Sequence, residues 1–127
     1  MKRFIFYCLL IALVLSTMGA QYSTRSSAPK GILRHTVAFN FKPDVPQDAI
    51  KKILAETRAT LPTIKGATNI IIGTQTSSWT KYRYGISIDF VNRAAKEAYA
   101  VDPRSKKLHE LYKPLTEDEV VIDILSE

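Results

Sequence analysis

From Leu33 to Phe41 the chain reads LRHTVAFNF, with His35, Val37, Phe39 and Phe41 on one side of an extended segment and Arg34, Thr36, Ala38 and Asn40 on the other. Successive side chains of a strand point to opposite faces, so this period of two predicts a strand with one buried face. The turn-forming KPDVPQD follows, and the period then changes. Ile50, Ile53, Leu54, Thr57 and Leu61 recur at helical spacing, with Pro46 and Asp48 suited to the first turn and Pro62 closing the segment. After Lys65-Gly66 the β-branched run ATNIIIGTQ predicts a second strand and TSSWTK a loop. Tyr82, Tyr84, Ile86, Ile88 and Phe90 then alternate with Arg83, Gly85, Ser87 and Asp89, which gives a third strand.

Asn92 is placed to cap a helix running through Ala94, Ala95, Ala98 and Tyr99. Pro103 disfavours helical geometry at Asp102, so the helix breaks there, and a further helix carries Leu108, Leu111, Tyr112 and Leu115 on one face. EDEVVIDIL closes the chain as a fourth strand, read with Val120, Ile122 and Ile124 alternating against Val121, Asp123 and Leu125. The order β-α-β-β-α-β, its second helix split in two, predicts an α+β, ferredoxin-like fold over residues 32–127. On this reading one sheet face, comprising His35, Val37, Phe39, Phe41, Tyr84, Ile86, Ile88, Phe90, Ile122 and Ile124, lies under the helices. The other mixes Thr36, Ala38, Gly85, Ser87 and Val121 with Arg34, Arg83, Asp89 and Asp123.

The first twenty residues follow a different pattern. Lys2 and Arg3 precede a twelve-residue apolar run, Phe4 to Leu15, and small residues lead to Gly19-Ala20. A spanning helix needs ~20 apolar residues, so residues 1–20 read as a secretory signal peptide cleaved near Ala20. Polar residues 21–31, with Pro29 and Gly31, read as a flexible tether. Cys8 is the one cysteine and lies inside the apolar run, so the exported chain is expected to carry no disulfide. Cleavage removes Lys2 and Arg3, and the formal charge falls by two from +6 to +4. A moderate basic balance remains, which fits a solvated face.

Several stretches carry a resemblance beyond periodicity. LRHTVAFNFKPDV, LPTIKGA, the IDF that ends the third strand, KEAYAVDP and KPLTEDEVVIDI, in this order, resemble the stress-responsive α/β-barrel (Dabb) domain family over about Ile32 to Leu125. The resemblance implies a homodimer in which two four-stranded sheets pack into an α/β barrel. It also implies a pocket between sheet and helices. A plant polyketide cyclase of that family works with a tyrosine matched here by Tyr99. Its catalytic histidine falls on Ser105, the histidine before the family's proline on Asp102, and its third-strand pocket histidine on Tyr84. Serine without an adjacent base is no general base at neutral pH, so the cyclase mechanism does not carry over.

His35, Tyr84 and Tyr99 are therefore the ligand-pocket candidates, in a pocket expected to hold a small apolar ligand without catalysis or to serve a stress-related role. The alternative is a cofactor-free enzyme, cyclase-like or monooxygenase-like, using His35 and Tyr99. His109 sits beside the apolar stripe of its helix and reads as solvated. Two distant histidines and no cysteine after export give no transition-metal set, and no cofactor is expected. The same element order occurs in RNA-recognition modules, but those stack bases on aromatic rings of the open sheet face. Here that face would present Arg83, Gly85, Ser87 and Asp89, so nucleic acid is not an expected partner. The expected partner is a second copy, and the membrane enters only through the signal peptide. N-terminal sequencing of exported material is expected to begin near Gln21, and material still starting at Met1 contradicts the export signal.

Overall fold

The computed structural model describes residues 29–127, so the export signal, Cys8 and most of the tether lie outside the described residues. Strand β1 (Leu33–Phe41) leads into helix α1 (Gln47–Thr60), which ends in a single 3-10 turn, Leu61–Thr63, built on Pro62. Strands β2 (Ala67–Thr74) and β3 (Tyr84–Phe90) follow, then helices α2 (Arg93–Val101) and α3 (Pro103–Tyr112), a 3-10 turn at Lys113–Leu115, and strand β4 (Thr116–Leu125). All three strand pairings are antiparallel, in the order β2-β3-β1-β4. This is the ferredoxin-like arrangement, with β1 and β3 central and β4 at one edge.

The core follows from the alternation in β1 and β3. Val37 stands opposite Ile86, Phe39 opposite Tyr84 and Leu33 opposite Phe90, so these side chains share the helix-facing side. Ile88 and Phe90 are fully buried, and α1 covers them from above with Ile50, Ile53 and Thr57. The Thr57 hydroxyl donates to the Ile53 carbonyl at 2.8 Å, which lets a polar residue sit in that stripe. Gly66 turns the chain into β2 at φ +88°, and a Cβ there would meet Ala95 of α2 at 3.2 Å. The backbone therefore favours glycine, and a Cβ would in addition press Ala95 by a few tenths of an ångström.

The break between α2 and α3 is built by one residue. Asp102 ends α2, its N–H donating to the Tyr99 carbonyl at 3.2 Å, and caps α3, its carboxylate accepting from the Arg104 N–H at 2.8 Å. Pro103 takes the first position of α3, where no N–H is needed. The Arg104 guanidinium returns to both Asp102 oxygens, at 3.0 and 2.8 Å, and also donates to the Thr63 carbonyl, tying the break to the end of α1. Asn92 caps α2 as its position predicts, accepting from the Ala95 N–H at 2.8 Å.

The phase of β4 departs from the sequence expectation. His35 pairs with Asp123, Val37 with Val121 and Leu33 with Leu125, so these three β4 residues face the helices. Ile122 and Ile124, expected under the helices, lie on the open face, 50% and 58% exposed. Asp123, expected on that open face with Arg34, Arg83 and Asp89, is correspondingly not there. A bulge explains the shift: the register slips between Ala38 and Asn40, and Asp118 takes φ +50°. Leu111 also leaves its expected apolar stripe and is exposed, whereas Leu108 is buried.

Ile88 is completely enclosed, so Ile88→Ala is expected to lower unfolding stability by ~3 kcal/mol in urea denaturation. A loss below about 1 kcal/mol would place Ile88 outside the core.

Candidate functional site

A cavity of about 400 Å³ lies between the sheet and the broken helix pair. Its floor includes His35 of β1, Ile86 of β3, and Val121 and Glu119 of β4; α2 contributes Lys96 and Tyr99, and α3 contributes Ser105, Leu108, His109 and Tyr112. The volume falls within the range that binds small molecules, and the lining mixes aliphatic walls with a few polar tips. The break at Asp102 makes the room, because α2 and α3 each reach the sheet at one end of the cavity rather than lying along it as one rod.

At one end His35 Nδ1 lies 2.6 Å from Asp123 Oδ1, and Lys96 Nζ lies 3.2 Å from Asp123 Oδ2. A carboxylate only accepts hydrogen bonds, so Nδ1 carries the proton in this pair and the orientation of the ring is fixed. Burial pushes the Asp123 carboxyl up, but hydrogen bonds from His35 and Lys96, reinforced by their charge, outweigh it and leave its pKa below the usual carboxylate range. The Tyr99 ring packs 6.1 Å from His35 and 5.0 Å from Phe90, centroid to centroid. His35 and Tyr99 are thus brought together by β1 and α2.

At the other end Tyr112 stacks on Phe39 at 5.9 Å, with His109 edge-on to it at 5.3 Å. Burial, then the negative charge of Glu119 and the neighbouring Tyr99, push the Tyr112 hydroxyl well above its ordinary value, so it stays protonated. Glu119 takes Lys113 at 3.4 Å on Oε1, while its Oε2 is buried with no hydrogen-bond partner among the described residues.

Tyr84 lies elsewhere. It packs against Phe39 at 6.0 Å and Phe41 at 5.0 Å and borders a separate cleft with Lys42, Lys81 and Arg83. It stands opposite Phe39, whereas His35 stands opposite Ile88, four positions along β3. The tyrosine that joins Tyr99 in the cavity is Tyr112. His109, read as solvated, is exposed yet also borders the cavity. Ser105, at the position where the cyclase keeps its histidine, is buried in the cavity wall. The sequence pattern does not point to Asp123 or Glu119 as site residues, because the placement of both depends on the β4 bulge. Lys96, on α2, gave no sequence signal beyond being one of many lysines.

The family model described as Stress responsive A/B Barrel Domain matches residues 33–126. Among curated proteins none matches the chain. A Dabb family protein with a ferredoxin-like fold from Mesorhizobium loti is 27% identical, covering 77% of this chain and 99% of its own, with a TM-score of 0.71. A dimeric ferredoxin-like protein from a Jannaschia species is 25% identical over 74% of this chain and 98% of its own, with a TM-score of 0.64. A hydroxynitrile lyase from Passiflora edulis shares the fold at 18% identity, covering 78% of this chain and 96% of its own, with a TM-score of 0.71.

The depressed Asp123 value carries a sign. Asp123 stabilises the fold above its unfolded pKa of ~3.9, and that contribution is lost as pH falls through the lower folded value. Carbon NMR titration of the Asp123 carboxyl is expected to show a midpoint below ~3.9 that moves up in Lys96→Met. An unmoved midpoint would mean that Lys96 does not hold this carboxylate.

Proposed function

The chain belongs to the stress responsive A/B barrel domain family, and we propose that within it this protein is an exported homodimer that binds a small, largely apolar ligand without a cofactor. The observation that carries the reading is the cavity itself, roofed by the broken helix pair and bordered by His35, Tyr99 and Tyr112. Apolar walls supply the binding energy, and the imidazole and hydroxyl groups orient the ligand. Tyr84 has no part in this site. A stress-related role would follow from what the ligand is.

The dimer is supported by the open sheet face. Ile71, Ile122 and Ile124 are exposed there, and isoleucines on one sheet face form the kind of apolar surface that a partner covers. Asp89 on that face is already matched: it is held by Arg34 at 2.7 and 2.8 Å and by Asn69 at 3.1 Å. A second sheet can therefore cover Asp89 without stranding its charge. The dimeric Jannaschia relative supports the same assembly.

One observation favours a second reading, a cofactor-free enzyme. The His35–Asp123 pair fixes the orientation of the imidazole, with the Tyr99 ring 6.1 Å away, and these are residue types that acid-base chemistry uses. The Passiflora lyase shares this fold, so the scaffold is compatible with catalysis. Binding remains the preferred reading because Ser105 stands where the cyclase's histidine would complete the acid-base set.

Native mass spectrometry of protein purified from its source tests both parts at once. A dimer mass carrying a bound small molecule is expected, and His35→Ala and Tyr99→Phe are expected to lower ligand occupancy several-fold while the dimer persists. A bare monomer at tens of micromolar would contradict the assembly and the binding role together.

A further inference from the structure

The cavity carries a charged group toward each of two ends, Lys96 with His35 and Glu119 with Tyr112, and the strands set the distance between them. His35 and Phe39 are four positions apart on β1, as are Asp123 and Glu119 on β4. At ~3.3 Å per residue each pair is separated by about 13 Å. The helices mark the same two ends, since Tyr99 of α2 packs beside His35 and Tyr112 of α3 stacks on Phe39. Ile86, Leu108 and Val121 border the middle. The two ends differ in chemistry. At the first, Lys96 spends one donor on Asp123 at 3.2 Å, and an ammonium has three, so it can also hold an anion. At the second, Glu119 presents a carboxylate whose buried Oε2 has no hydrogen-bond partner among the described residues.

We propose that the ligand is an elongated molecule with an apolar middle and two unlike ends, a carboxylate held by Lys96 and the His35 end and a hydroxyl that donates to Glu119. This rests on the cavity reading given above and names the ligand class for it. The hydroxyl end follows from the accounting of Glu119. A buried acceptor left without a donor is costly, and a ligand hydroxyl at this wall supplies one. Oε2 is enclosed by the wall where it stands, and rotation about the soft last bond of the glutamate brings it to the cavity. An ammonium is the poorer fit, because Lys113 already lies 3.4 Å from Oε1 and would face a second cation. An ω-hydroxyalkanoate of about ten carbons is the simplest compound of this class.

Calorimetry on the full chain with three probes tests this: ω-hydroxydecanoate, decanoate without the hydroxyl, and 1-decanol without the carboxylate. The first is expected to bind about tenfold more tightly than either of the others, the gain of one buried hydrogen bond at each end. In Glu119→Met the advantage over decanoate is expected to vanish. Equal affinity of the wild type for ω-hydroxydecanoate and decanoate overturns this inference and leaves the cavity reading in place. Failure of all three to bind removes the cavity reading, and this inference with it. The wild-type comparison decides the matter even if the variant does not fold.

Discussion

The break at Asp102-Pro103 is the constraint on which the site depends. A continuous helix crossing this sheet would bury its apolar stripe along the whole length and leave no room beneath. Here the chain stops being helical at Asp102, whose carboxylate caps the next helix while its own N–H closes the last. Arg104 fastens the corner to Asp102 and to the turn after α1. Hydrogen bonds from the Arg104 guanidinium and the Arg104 backbone N–H to the Asp102 carboxylate hold that carboxyl at about 2, so the corner stays charged until strongly acidic pH. It loses that support only as pH falls below the usual carboxylate range.

Packing then converts the corner into a cavity. Phe39, Ile88 and Phe90 are fully buried at the centre of the sheet, and Tyr112 of α3 and Tyr99 of α2 pack on the first and last of them, so the roof meets the sheet at these two points. The edge strand β4 is different: Val121 and Leu125 remain partly exposed although they face the helix side. The cavity therefore opens where the roof is broken and the sheet is at its edge. The polar groups there come from three separate elements, His35 from β1, Lys96 from α2 and Asp123 from β4. No short motif could hold them together; the pairing of His35 with Asp123 across the β1–β4 ladder and the ion pair of Lys96 with Asp123 do so.

How much of this is legible in the sequence varies with how sharply each segment alternates. LRHTVAFNF and YGISIDF have one clean apolar face each, and the structure places those faces on the core. Asn92, Asp102 and Pro103 act locally, through caps and dihedral limits, so the split helix is readable from a few residues. EVVIDIL is apolar at five of its seven positions, with apolar residues on both faces, so its period fits either phase. The bulge at Asp118 decides between them from outside the run. That one irregularity hides Asp123 and Glu119, and with them half of the polar chemistry of the site. Tyr84 illustrates a different limit. Its face is readable, but its position along the sheet depends on the register with Phe39, which alternation does not encode.

The cavity can be located in solution by intermolecular nuclear Overhauser effects from a small apolar probe such as cyclohexane at saturation. Cross-peaks to Tyr99, Leu108, Tyr112 and Val121 are expected, because these side chains enclose the space under the broken helix. Cross-peaks confined to Ile122 and Ile124 on the open sheet face, or none at all, would contradict a ligand site between the sheet and the helices.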